Sequence, residues 1–253
     1  MRLAILIAAA LGLLAPSAQA AEVDAEAFRP YAAGLIDRLT VGTERLAGSI
    51  ETGDLEAAKS DWIAARVGWE RGETFLGEYF PDADEAIDSW PDARSGFHAI
   101  EPLLFRAGDV AGAKALSERL LIEIEALRDG FAAQELDPQG LANGMTGIAY
   151  EIGEAKAGGG ESPFAGTSLL DMRDNLQGIE ALYALVFARA VEQQDPALHQ
   201  RVVARMVELG SALGAPSIDA MNQSRVMALS EQLAGDLQDV ARTVGLERPE
   251  LGG

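Results

Sequence analysis

Residues 62–101 read WIAARVGWERGETFLGEYFPDADEAIDSWPDARSGFHAIE. Trp62, Trp69 and Glu73 recur at helical spacing, so one apolar, aromatic stripe carries a carboxylate toward the core. The spacing predicts a helix from an Asp54 cap to about Tyr79, stopped by Pro81. A short acidic segment, Asp82 to Trp90, follows and is closed by Pro91. A further helical turn begins near Ser95 and carries GFHAIEPLLF. The same stretch concentrates chemistry. It holds all three tryptophans, one of the two histidines, and Glu70, Glu73, Glu78, Asp82, Asp84, Glu85, Asp88, Asp92 and Glu101 against only Arg66, Arg71 and Arg94. Carboxylates with one imidazole are the donor set of a site for a hard or borderline cation.

Outward from this stretch the chain keeps helical periodicity, and runs of Val, Ile and Thr with period two do not occur. Helices are expected over Pro30–Ser49, Ala111–Ala133 and Leu141–Lys156. Another opens at a capping-box-like Ser168–Asp171 and runs to about Gln193. One more begins at Asp195-Pro196 and ends near Gly210. The last covers Ser217–Val244, with a frayed tail from Gly245. Gly158-Gly159-Gly160 is the clearest loop and divides two bundle-like halves, roughly 21–157 and 161–253. The expected fold class is all-α, with antiparallel helices in each half.

The 253 residues carry 20 basic and 40 acidic side chains, a net charge of −20. Such a surface repels nucleic acid and anionic membranes and draws cations. Arg2, the apolar run Leu3–Leu14 and Ala18-Gln19-Ala20 read as a signal peptide over 1–20, leaving 21–253 as the mature domain. There is no cysteine, so neither disulfides nor a lipid-anchor thiol are expected. The expected location is the periplasm.

Within 62–101, His98 and Glu101 are three residues apart, as are Glu70 and Glu73, while Asp84 and Asp88 are four apart. On helices each pair shares a face. Each also has a plainer reading. Glu70 and Glu73 could pair with an arginine, since Arg66 stands four residues before Glu70. Asp84 and Asp88 could be a solvated face, Asp82 a helix cap, and His98 or His199 a packed or surface histidine. Pro102 directly after Glu101 disfavours helical backbone there and predicts a kink or a new helix start.

GFHAIE matches the G-x-H-x-x-E signature of imelysin-like proteins. WERGETFLGEYFPDADEAIDSW and ESPFAGTSLLDMRDNLQGIEALY are similar to the EfeO/EfeM branch of that family, which serves periplasmic iron uptake. The resemblance implies an all-helical fold and a metal site of His98 and Glu101 supported by Glu70, Glu73, Asp84 and Asp88, with Glu151 or Glu154 as further candidates. It implies iron, ferric or ferrous, as the bound ion and an inner-membrane iron permease as partner; the donor set by itself also suits manganese or zinc and tolerates copper or calcium. It looks like the shorter EfeM form, without an added N-terminal cupredoxin domain. The function implied is iron capture and hand-off to the permease. The alternative is a metallopeptidase using the same HxxE site, although the H-E-x-x-H pattern of zinc peptidases is absent.

Overall fold

The computed structural model describes residues 23–90 and 93–251. The signal-peptide reading of 1–20 and the stop at Pro91 lie outside the described residues. The elements are helices: α1 Arg29–Thr52, α2 Leu55–Tyr79, α3 Pro81–Asp88, α4 Gly96–Glu101, α5 Val110–Phe131, α6 Pro138–Glu151, α7 Ser168–Leu182, α8 Ala188–Gln194, α9 Pro196–Ala212 and α10 Gln223–Thr243. Among the described residues there is no strand, and no helix is long and apolar enough to cross a membrane.

Local signals set the boundaries. Gly53, in left-handed conformation, ends α1, and the Asp54 side chain accepts from the Ala57 N–H to open α2. Asp109, Asp137, Asp195 and Asn222 cap α5, α6, α9 and α10 in the same way. Each cap satisfies an N–H that has no partner within its helix.

Helix α2 is the centre of the packing. It lies against α1, α6 and α7, while α10 closes on α6 and α9. Close approach depends on missing side chains. A Cβ on Gly178 of α7 would sit 2.3 Å from the Arg71 carbonyl oxygen, and one on Gly144 of α6 would sit 2.3 Å from that of Thr74. Trp62 and Trp69 are fully buried on α2.

Four expectations differ from the structure. Glu101 keeps right-handed helical backbone, and the chain runs on through Pro102–Ala107 as a π-helical turn. The wider turn accommodates a residue that has no N–H to donate. The Ser168–Asp171 capping box does not form. Thr167 is the N-cap, and the Asp171 carboxylate instead accepts from the Ser162 and Thr167 hydroxyls. The last helix starts at Gln223, because a separate 3₁₀ turn at Ile218–Ala220 precedes the Asn222 cap. The tail beyond Gly245 is docked: Gln238 donates to the Pro249 carbonyl, and the Glu247 N–H donates to Gln139.

Candidate metal centre

Residues 62, 66, 69, 70 and 73 share the inner face of α2, so two buried aromatics alternate with a guanidinium and two carboxylates. Arg66 is 1% exposed. Its guanidinium stacks against Trp62 and Phe97, at 5.2 and 5.6 Å from the ring centroids. One nitrogen donates to Asp88 and the other to Glu70, with Glu161 at 3.3 Å and Asp171 at 3.8 Å. Arginine suits this position because its flat fork can serve several carboxylates while its face packs on rings.

A second buried cation comes from the far end of α6, which continues through Ile152–Lys156 as a π-helical turn. The single Lys156 Nζ lies 2.7 Å from Glu73, 2.9 Å from Glu161 and 3.2 Å from Glu70. From α7, the Asn175 amide donates to Glu70 at 3.0 Å and to Glu73 at 2.8 Å.

The histidine is placed by a glycine. Gly96 has φ +74°, and a Cβ there would lie 2.0 Å from the Ile87 carbonyl oxygen. The first residue of the G-x-H-x-x-E stretch therefore lets α4 press on α3. His98 Nε2 lies 3.3 Å from Asp88 and 3.4 Å from Arg66, and Nδ1 lies 3.5 Å from Glu101. The other Glu101 oxygen accepts the backbone N–H groups of Phe164 and Ala165 at 2.9 and 2.8 Å. Asp88 also accepts from the Trp69 indole at 2.7 Å. Glu101 thus ties the histidine helix to the loop that follows the glycine triplet.

Glu70, Glu73, Asp88, Glu101, Glu161 and Asp171 face two permanent cations, so negative charge is in excess and protons are retained. Burial, against the pull of Lys156, pushes Glu161 up to about 8, with the charge of Glu70 adding to the rise. Burial likewise pushes Asp171 up to about 7, against Arg66. Glu73 is raised well above the usual range by burial, against the pull of Lys156, with the charges of Glu70 and Glu161 adding to the rise. At Glu70 burial is overcome by Arg66 and Lys156, and its carboxyl is held low. Asp84, at the edge of the cluster against Gly77, rises to about 6 through burial and the charge of Asp88. These are the expected responses of carboxylates competing for too few counter-charges.

Two groups of three donors have ligand atoms within 4.8 Å of one another: Asp88, His98 and Glu161, and Glu70, Glu73 and Glu161. Among the described residues, Glu101 and Asp84 belong to neither. Glu161 Oε2 is buried with no hydrogen-bond partner, an unsatisfied acceptor that a cation would complete. The His98 edge opens to a depression lined by Trp90, Ala93, Arg94, Ala99, Pro102 and Phe164. A larger cleft reaches Glu73 and is edged by Glu151 and Glu154. His199 lies apart, stacked on Tyr183 with its Nδ1 2.9 Å from the phenol oxygen.

The i,i+4 spacing predicts Arg66 beside Glu70, and the structure puts it at the hub of four carboxylates. Lys156, Glu161, Asp171 and Asn175 join the site without standing among the residues the sequence singles out for it. The available signal was the i,i+4 pair Asp171 and Asn175, both polar on the face of α7 that carries Gly178.

The family model for imelysin, peptidase M75, matches residues 25–244. The chain belongs to the imelysin family. Similar imelysin-family relatives include the iron uptake system component EfeM of Pseudomonas syringae, 28% identical over 69% of this chain and 64% of its own length. Another is the iron uptake system component EfeO of Escherichia coli K12, 24% identical over 87% of this chain and 62% of its own. The chain thus spans a little under two thirds of the length of either. The fold is also that of a Parabacteroides distasonis protein provisionally named iron-regulated protein A precursor. The TM-score is 0.69 at 16% identity, covering 88% of this chain and 96% of that one. The G-x-H-x-x-E stretch supplies a tight helix contact, an imidazole and a carboxylate 3.5 Å from it.

Proposed function

We propose that this protein is the iron-binding component of an uptake system, working in the periplasm and passing its cargo to a membrane permease. The observation that carries the reading is the buried excess of carboxylates around one imidazole, with a Glu161 oxygen left without a partner. Oxygen donors with a neutral imidazole suit iron in either oxidation state. Relatives named as iron uptake components support the same direction.

In this reading Asp88, His98 and Glu161 hold the ion, reached through the depression beside Trp90 and Phe164. On the same reading Glu101 accepts from Nδ1–H of His98 and turns Nε2 toward Asp88, and the ion takes the Nε2 lone pair that now faces Arg66. Glu70, Glu73 and Asp84 supply surrounding negative charge. Protons held by Glu161 and Asp171 leave as the ion enters, so affinity rises with pH.

Anaerobic titration of residues 21–253 with ferrous iron, followed by calorimetry and metal analysis, tests this. One ion per chain is expected, and His98→Ala or Glu161→Gln should weaken it by at least about 10–100-fold. A His98→Ala, Glu101→Ala double variant that binds iron as wild type does would overturn the assignment.

A further inference from the structure

The two donor trios share Glu161 but meet their cations differently. Arg66 reaches all three members of the Asp88–His98–Glu161 trio, but through two nitrogens, one toward Asp88 and His98 and the other toward Glu161, so no single atom stands among the three, and its plane is pinned between Trp62 and Phe97. Lys156 does something else. One ammonium nitrogen lies within 3.2 Å of Glu70, Glu73 and Glu161 together. A compact point charge bonded to three carboxylates stands where an ion ligated by those carboxylates would stand. We infer that the Lys156 ammonium is the built-in occupant of a second cation site formed by Glu70, Glu73 and Glu161, and that it holds the protein to one cargo ion instead of two.

Other features of this cage are those of an ion site. The Asn175 amide donates to both Glu70 and Glu73 from one side, and its Oδ1 is buried with no partner. Turning that amide would bring a fourth oxygen to an ion replacing the ammonium. Glu161, its side chain 9% exposed, also has one oxygen without a partner. Lys156 is the last residue of a π-helical turn and precedes the Gly158–Gly160 loop, so its stem approaches from an element end and not from the middle of a rigid helix. The larger cleft, which reaches Glu73, supplies a route from solvent. With an ammonium in place, a second metal ion would meet a like charge at ligand distance, and it is excluded.

This inference rests on the cargo site proposed above, and one experiment separates the two. Lys156→Met keeps most of the buried stem but vacates the nitrogen position; Lys156→Arg keeps a cation. Each is dialysed anaerobically against ferrous iron, and bound metal is counted by mass spectrometry. Wild type and Lys156→Arg should hold one ion per chain, and Lys156→Met two. Wild type with one and folded Lys156→Met also with one overturns the built-in occupant. Wild type with none and Lys156→Met with one removes the cargo reading while supporting the occupant; none in both removes both. Should Lys156→Met fail to fold, Lys156→Gln, which keeps a hydrogen-bond donor to the glutamates but no charge, is counted in its place: two ions per folded chain support the inference, and one overturns it.

Discussion

Helices α2 and α10 are both long and both bury one face, yet they do so by different physics. The buried face of α10 is mainly the apolar stripe Val226, Leu229, Leu233, Leu237 and Val240, with Ser230 and Gln238 as its buried polar side chains and no buried charge. Its neighbours chiefly exclude water, and its stabilisation grows with area buried. The α2 stripe places Arg66 and Glu70 at comparable depth beside Trp62 and Trp69. Its charges are tolerable only because α3, α4, the π turn after α6, the glycine loop and α7 each bring a partner. An apolar stripe can be read from its own helix. A charged one is solved by the whole fold, and it stays responsive to protons and ions.

The largest break in this contrast is Arg66→Met. Removing one partner of a buried ion network costs about 3–5 kcal/mol, and here several carboxylates lose their counter-charge. Denaturant titration should show that loss at pH 8 and a smaller one at pH 5, where the freed carboxylates can take up protons. In α10, Leu233→Ala should cost about 2–5 kcal/mol by leaving a cavity, and that loss should be the same at both pH values.

The pH dependence of the metal-free protein sharpens the comparison further. Glu161 and Asp171, at about 8 and about 7 in the folded chain, lie above the unfolded carboxylate range near 4. The folded state therefore holds their protons more tightly than the unfolded state does. That stabilisation is complete below about pH 4 and is lost as pH rises through about 7 to 8. The melting temperature, followed by calorimetry, should fall between pH 5 and pH 8.5, and Glu161→Gln should flatten the fall. Bound iron, replacing the protons, should raise the melting temperature most at the upper end of that range.

The smallest expected effect is at the start of α2. Asp54→Ala removes a cap worth about 1 kcal/mol. It should lower stability by that amount and leave iron binding unchanged, because the cap touches none of the clustered acids.

The helical class was legible from periodicity, and so was α2, since Asp54, the tryptophan spacing and Pro81 are local signals. The G-x-H-x-x-E stretch pointed to His98 and Glu101, and the Arg66–Glu70 spacing to their pairing. Lys156, Glu161, Asp171 and Asn175 were not legible in the same way. Each reads locally as an ordinary helix or loop residue, and Asp171 was even read as part of a capping box. Pro102 misled for a related reason: local sterics argue for a break, but the chain widens its turn and keeps Glu101 helical.

Taken alone, the amino-acid sequence determined which segments are helices, where α2 begins and ends, and that residues 62–101 hold an excess of acid around one histidine. Those are properties of neighbours along a chain, set by turn geometry and side-chain shape. Only the tertiary structure decided which acids meet which cations. Electrostatic energy depends on distance through space and on exclusion of water, and Lys156 reaches Glu70 at 3.2 Å across 86 residues of chain.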